Sequence, residues 1–89
     1  MSANLSPQEV SKRVISITSE VLALDQPPPM DADLRKDLNA DSLDLLSLFM
    51  TLEDEFGGSI PEEEAGKIST LREIIEYVNG RIAAEQSEY

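Results

Sequence analysis

Residues 40–56 read ADSLDLLSLFMTLEDEF, and this segment predicts an amphipathic helix with a serine at its start. Asp41 is a good N-cap, and Gly57 is typical of the residue just past a helix, so the helix is expected to run from Ser42 to about Phe56. A hydroxyl at this place would lie in solvent at the positive end of the helix dipole. A phosphate can be attached and stabilised there.

Two apolar stripes follow this helix. One can fill a core and consists of Leu45, Leu48, Phe49, Leu52 and Phe56. The other has the spacing i, i+3 and i+7 and consists of Leu43, Leu46 and Met50. The second stripe either widens the buried face or forms an exposed ridge that docks partners. We favour the ridge, because a small bundle needs only one stripe and because Asp44, Glu53 and Asp54 border the second.

Helical signals also occur on both sides of this segment. A first helix is expected from Pro7, capped by Ser6, to about Ala23. Its expected apolar stripe is Val10, Val14, Ile17, Val21 and Leu24. Three prolines, 27–29, then begin a long loop, with Leu34 and Leu38 as its expected anchors in the core and Met30 as a weaker one.

The rest of the chain predicts one short and one long helix. A one- or two-turn helix is expected over 61–66, pinned by Ile60, Ala65 and Ile68. A capping box of Thr70 and Glu73 starts the last helix. Its apolar stripe is Leu71, Ile74, Ile75, Val78 and Ile82, with Asn79-Gly80 marking a weak end and residues 83–89 a frayed tail. The prediction is an all-α, four-helix bundle with three main helices and one short helix, forming a single domain over 1–89 with an ordered core over 6–82.

Composition excludes several classes of function. The 89 residues contain no cysteine and no histidine, so the usual nucleophile, general base and metal ligands are missing, and we expect no enzyme and no metal site. Eighteen acids against seven bases give a net charge of −11, and no base lies between Asp37 and Gly66. Such a surface repels nucleic acid and favours partners with basic patches. Without an apolar run of membrane-spanning length, we expect a cytoplasmic monomer.

Ser42 is better interpreted as a substrate than as a catalyst. A serine nucleophile needs a base, and neither a histidine nor a Ser-x-x-Lys arrangement is available to it. Asp41 and Asp44 would repel a phosphate on Ser42, so they make more sense as contacts for a modifying enzyme or its magnesium ion.

An extended set of motifs now points to one family. The octapeptide 37–44, DLNADSLD, resembles the phosphopantetheine attachment motif of the acyl carrier protein family. The similarity continues through LEDEF at 52–56, IPEEEA at 60–65 and IEYVNG at 75–80, and it covers residues 34–82 with correct spacing. Asn39 stands where the family usually has glycine, and asparagine tolerates a left-handed backbone better than most residues.

The resemblance implies a function and its partners. A phosphopantetheinyl transferase would move 4′-phosphopantetheine from coenzyme A to Ser42, and the thiol of this arm would carry acyl chains as thioesters in fatty acid biosynthesis. The acyl chain would retract between the helices. Partner enzymes of fatty acid or polyketide synthesis would grip the second helix through basic residues. Carried over by position, their contacts are Asp41, Leu43, Asp44, Leu46, Met50 and Glu53.

Three alternatives remain open. Ser47, Leu45, Phe49 and the three prolines depart from the usual family pattern, which leaves a specialised carrier of a dedicated lipid or polyketide pathway beside the fatty acid carrier. Asp37, Asn39 and Asp41 have the spacing of the first ligands of an EF-hand, but Leu48 stands where its glutamate is needed. A helical adaptor without any prosthetic group would have no need of Ser42.

Overall fold

The computed structural model describes residues 6–86, with side chains described through Ile82. Its elements in chain order are α1 (Pro7–Val21), α2 (Ser42–Phe56), α3 (Glu62–Ala65) and α4 (Leu71–Gln86). Helix α1 packs against both α2 and α4. Within the described range no strand forms, and Asp33 and Thr70 make an isolated antiparallel bridge. The all-α fold with three main helices and one short helix is confirmed.

Helix ends follow the sequence signals at most positions. The Ser6 hydroxyl accepts a hydrogen bond from the backbone N–H of Glu9 at 3.2 Å, which caps α1. Gly57 ends α2 in the left-handed region with φ of 75°. The α1 helix stops at Val21, slightly before the predicted end, and Ala23 follows with φ of 54°.

The last helix differs from expectation. The capping box of α4 is confirmed, because Glu73 Oε1 accepts from the backbone N–H of Thr70 and Thr70 Oγ1 accepts from that of Glu73. The predicted weak end at Asn79-Gly80 is wrong, since α4 continues through Gly80 to Gln86. A mid-helix glycine costs only about 1 kcal/mol, which the apolar stripe of α4 offsets. Residues 83–86 of the predicted frayed tail are helical, and residues 87–89 lie outside the described part of the chain. Fraying of this segment therefore stays a prediction.

A single aliphatic core joins the four helices. Its buried members on α2 are Leu45, Leu48, Phe49 and Leu52, and those on α4 are Leu71, Ile74, Ile75 and Val78. Around α3, Ile68 is buried while Ile60 and Ala65 pack half-buried against the core. The core-facing stripes of α2 and α4 therefore lie where the sequence predicts, and so do Ile60, Ala65 and Ile68 beside the short helix.

The long loop between α1 and α2 is anchored in the core and to α4. Leu34 is buried, Leu38 and Met30 are half-buried, and Pro28 is also buried, which the sequence did not indicate. The Leu34 N–H donates to the Ser69 carbonyl and the Arg72 N–H to the Met30 carbonyl, each at 2.8 Å. These contacts hold the chain that leads into α2.

An ion pair strengthens the same junction. The Arg72 guanidinium donates to both carboxylate oxygens of Asp31, at 2.7 and 3.4 Å. Hydrogen bonding to Arg72, followed by its charge, holds the pKa of Asp31 below its usual value. The loop is therefore bound to the start of α4 by backbone hydrogen bonds and by a side-chain ion pair.

Thr18 is a polar residue buried in an otherwise apolar core. The fully buried residues of α1 are Val10, Val14 and Thr18, so the true stripe includes a hydroxyl residue, while the expected members Ile17 and Val21 are only half-buried. Thr18 Oγ1 has no hydrogen-bond partner among the described residues. A buried hydroxyl without a partner costs free energy.

Replacing Thr18 with valine is therefore expected to stabilise the protein. Valine fills nearly the same space and removes the unpaired hydroxyl, so the free energy of unfolding should rise by about 1 kcal/mol. Urea unfolding followed by circular dichroism measures it. Thr51→Val is the matched control, because Thr51 is exposed and its hydroxyl donates to the Ser47 carbonyl at 2.8 Å. Equal effects of the two substitutions would contradict the explanation.

Candidate prosthetic-group attachment site

Ser42 is the first residue of α2, and its side chain is exposed. The chain reaches it through two residues that set its position. Asn39 adopts φ of 60°, so the left-handed turn expected at this position is confirmed. Ala40 is 5% exposed and anchors the turn in the core. The hydroxyl therefore faces solvent from a fixed support.

A reciprocal capping box surrounds Ser42. Asp41 Oδ1 accepts from the backbone N–H of Asp44 at 2.9 Å, and Asp44 Oδ2 accepts from that of Asp41 at 3.2 Å. The sequence indicated the Asp41 cap but not the return bond. An acidic residue at the third position of the helix is the signal that could have indicated it. Both carboxylates thus stabilise the helix start, besides any contact with a partner.

Substitutions at Asp41 can separate these two roles. Asp41→Ala removes the cap and is expected to cost about 1 kcal/mol of the free energy of unfolding. Asp41→Asn keeps a good cap and should leave stability within about 0.5 kcal/mol. Chemical unfolding of both variants measures this, with Asp54→Ala as the control on the exposed side of α2. A cost for asparagine equal to that for alanine would contradict the capping role.

The second apolar stripe of α2 is exposed. Leu43, Leu46 and Met50 are 72%, 56% and 55% exposed, so the alternative of a wide buried face is wrong. Three large apolar side chains on one exposed helix face form a continuous ridge that begins beside Ser42. We call these three residues the α2 ridge.

Some acidic side chains near the α2 ridge are already bonded within the protein and are not free to contact a partner. Glu53 is half-buried, and its Oε2 accepts from the backbone N–H of Ile60 at 2.8 Å, which fixes the loop after α2. Glu55 pairs with Arg13 of α1. The bond joins Glu53, in the last turn of α2, to Ile60, seven residues later in the irregular chain after the helix, and it has no local sequence signal. Of the predicted partner contacts, Asp41, Leu43, Leu46 and Met50 are exposed, whereas Asp44 and Glu53 are half-buried.

Two of the possible EF-hand ligands, Asp37 and Asp41, accept hydrogen bonds from backbone N–H groups. Asp37 Oδ2 accepts from the backbone N–H of Asp33 at 2.8 Å, and Asp41 belongs to the capping box. Among the described residues no group of three acidic, histidine or cysteine side chains converges as a metal site would require. No helix in the described part of the chain is long and apolar enough to cross a membrane.

A cleft lies at the opposite end of α2 from Ser42. It has an empty volume of about 350 Å³, is partly open to solvent, and is lined mainly by apolar side chains that include Leu52, Phe56, Ile60, Val78 and Ile82. Arg81 stands at this cleft, where its guanidinium lies 5.9 Å from the centroid of the Tyr77 ring. At 1.5 Å per residue, Leu52 is about 15 Å along the helix from Ser42.

These features define a helical bundle that presents an exposed serine beside an exposed apolar ridge. The family model for the phosphopantetheine attachment site matches residues 12–78. An acyl carrier protein from Thermosynechococcus vestitus is 38% identical over 81 residues, which cover 90% of this chain and 100% of that protein. Another, from Rubrobacter xylanophilus, is 44% identical over 72 residues, covering 80% and 89%. The chain belongs to the acyl carrier protein family.

Solved structures agree with this assignment. A structure designated an acyl carrier protein from Mycobacterium tuberculosis superposes with a TM-score of 0.77 and 28% identity, covering 81% of this chain and 97% of that one. One from Anaplasma phagocytophilum gives 0.78 and 30%, covering 88% and 93%. The protein is therefore an acyl carrier whose prosthetic group is 4′-phosphopantetheine. This group, when attached, supplies the thiol that the cysteine-free chain lacks.

Proposed function

We propose that Ser42 is the residue to which 4′-phosphopantetheine is attached. The observation that carries the proposal is the exposed hydroxyl of Ser42 at the start of α2, inside the segment that matches the attachment-site family. The residues fit the group, because the hydroxyl is accessible to a transferase and the helix dipole favours a phosphate there. The role of Ser42 is to accept the group as a phosphodiester, and the thiol of the arm then holds acyl cargo as a thioester.

The α2 ridge and the acids beside it form the proposed docking surface for partners. Leu43, Leu46 and Met50 offer exposed apolar area, and Asp41 adds an exposed negative charge next to Ser42. The transferase and the synthesis enzymes would approach with apolar pockets rimmed by basic residues. Asp44 and Glu53 contribute charge from half-buried positions. This arrangement supports a carrier that hands its cargo to catalysts and performs no catalysis itself.

The apolar cleft at the far end of α2 is the proposed place for part of an acyl chain. Its lining is mainly apolar, and it is partly open to solvent, so apolar cargo could enter it. Fatty acid biosynthesis is the proposed pathway, since that is the usual context of the family. A specialised lipid or polyketide pathway is the alternative, and the cytoplasmic location and the monomeric state stay predictions.

Intact-mass measurement tests the attachment. Purified protein is incubated with coenzyme A, magnesium and a phosphopantetheinyl transferase, and the mass is expected to rise by one phosphopantetheine per chain. Peptide mapping should place the added mass on Ser42. An unchanged mass, obtained while a known carrier is loaded in parallel, would contradict the proposal.

A further inference from the structure

Arg35 and Lys36 form an exposed pair of cations with no acidic side-chain partner. The salt bridges among the described residues are Arg13–Glu55 and Arg72–Asp31, so neither Arg35 nor Lys36 has a carboxylate oxygen within 4.0 Å. Lys12 and Lys67 also lack such a partner among the described residues, but Arg35 and Lys36 are adjacent and are the last two bases before Ser42. The pair is therefore available for an anion that is not part of the polypeptide.

The backbone beneath the pair is fixed by the carboxylate of Asp33. Its Oδ1 accepts from the N–H of Arg35 at 2.9 Å and from that of Lys36 at 2.8 Å. The Lys36 hydrogen bond in particular holds the pKa of Asp33 below its usual value. The carboxylates of Asp33 and Asp37 are thus engaged with backbone N–H groups of this turn, while the two cationic side chains are exposed to solvent.

The same loop folds back so that the backbone next to Arg35 is hydrogen-bonded two residues before Ser42. The Ala40 N–H donates to the Leu34 carbonyl at 2.9 Å, which closes the segment between them. Arg35 is one residue from this contact and Ser42 is two residues from it. Because consecutive Cα atoms are only about 3.8 Å apart, the long side chain of Arg35 can extend toward the space in front of Ser42. In sequence, Lys36 is the last base before Ser42, and the next is Lys67.

A phosphate at Ser42 would otherwise stand in an acidic setting. Asp41 and Asp44 flank the serine, and each adds a negative charge that opposes another one. We propose that Arg35 and Lys36 bind the phosphate of phosphopantetheine and position the arm at its root. The inference rests on the proposed attachment at Ser42. The phosphate is either the finished phosphodiester or that of coenzyme A before transfer, and the two are tested separately.

The test compares two double variants of equal net charge. R35Q/K36Q removes the pair, and K12Q/R13Q removes another adjacent pair of cations, on α1. Arg13 pairs with Glu55 in the last turn of α2, so this control site lies at the opposite end of α2 from Ser42. Circular dichroism verifies that each variant is folded.

Phosphorus NMR of the loaded protein tests the phosphodiester. In wild-type protein and in K12Q/R13Q, its resonance is expected to shift between about 50 and 500 mM salt, because salt screens an exposed ion pair. In R35Q/K36Q this shift should be lost. Nitrogen–proton spectra should also show the Arg35 side-chain Nε resonance moving on loading in wild-type protein.

Transfer kinetics test the phosphate of coenzyme A. If the pair binds it before transfer, R35Q/K36Q should raise the KM for coenzyme A by about two- to fivefold, the range of exposed charge pairs, while K12Q/R13Q should not. Either result supports phosphate binding and names its source. Identical behaviour of the two variants in both measurements overturns the inference while leaving attachment at Ser42 intact, and a chain that accepts no phosphopantetheine overturns both.

Discussion

Ser42→Ala is expected to remain at its unmodified mass under conditions that load the wild-type protein completely. The substitution removes the only atom that can form the phosphodiester at this position, and no neighbouring side chain can replace it. Stability should change little, because Ser42 is exposed and its side chain makes no recorded hydrogen bond. The expected loss is therefore total for loading and small for folding. Intact mass and chemical unfolding measure the two separately.

Ser47→Ala is the matched control for this experiment. Ser47 is a second exposed serine on α2, five residues further along the same helix. Its variant should be loaded at the wild-type rate, because the backbone carbonyl that Thr51 uses remains present after substitution. Residual loading of Ser42→Ala, or loss of loading in Ser47→Ala, would place the attachment elsewhere.

Leu48→Ala is expected to lower the free energy of unfolding by about 2–5 kcal/mol. Leu48 is fully buried on the core side of α2, so its truncation removes apolar contacts and leaves a cavity. Such a cost is a large share of the total stability of a domain of this size. Urea unfolding at neutral pH measures the loss.

Leu46→Ala should give the opposite pattern. Leu46 lies two residues away on the same helix but is 56% exposed, so stability should stay within about 0.5 kcal/mol of wild type. If Leu46 is one of the few residues that dominate docking of the transferase on the α2 ridge, loading should slow by about fivefold or more, since truncating such a residue costs over about 1 kcal/mol. Wild-type loading kinetics in Leu46→Ala would exclude Leu46 from the docking surface.

The helices of this fold are well predicted from sequence because their signals are local. Caps at Ser6, Asp41 and Thr70 begin three helices, and the period of the apolar stripes separates buried from exposed faces. The exposure of the α2 ridge could be predicted as well, since a narrow bundle can cover only one stripe of a helix. At Asn39 the indication came from the resemblance, because asparagine stands where the family usually has glycine and tolerates the left-handed backbone that this residue adopts.

What the sequence did not predict depends on contacts between distant residues. Thr18 is buried because α1 packs on two helices, and a hydroxyl residue carries no apolar signal of that burial. The half-buried position of Glu53 comes from its bond to Ile60 across an irregular loop. Gly80 suggested a helix end, but tertiary packing of the apolar stripe outweighs the low helix propensity of one glycine.

The four-residue length of α3 has a consequence for how the molecule opens. None of the residues 62–65 is fully buried, and the helix start has no side-chain cap. The loop before Ser42, in contrast, is bonded to the start of α4. In native-state hydrogen exchange, α3 is therefore the segment to lose protection first, as a small cooperative unit of its own. Such an opening would expose core side chains beside α3 while the Ser42 hydroxyl keeps its place.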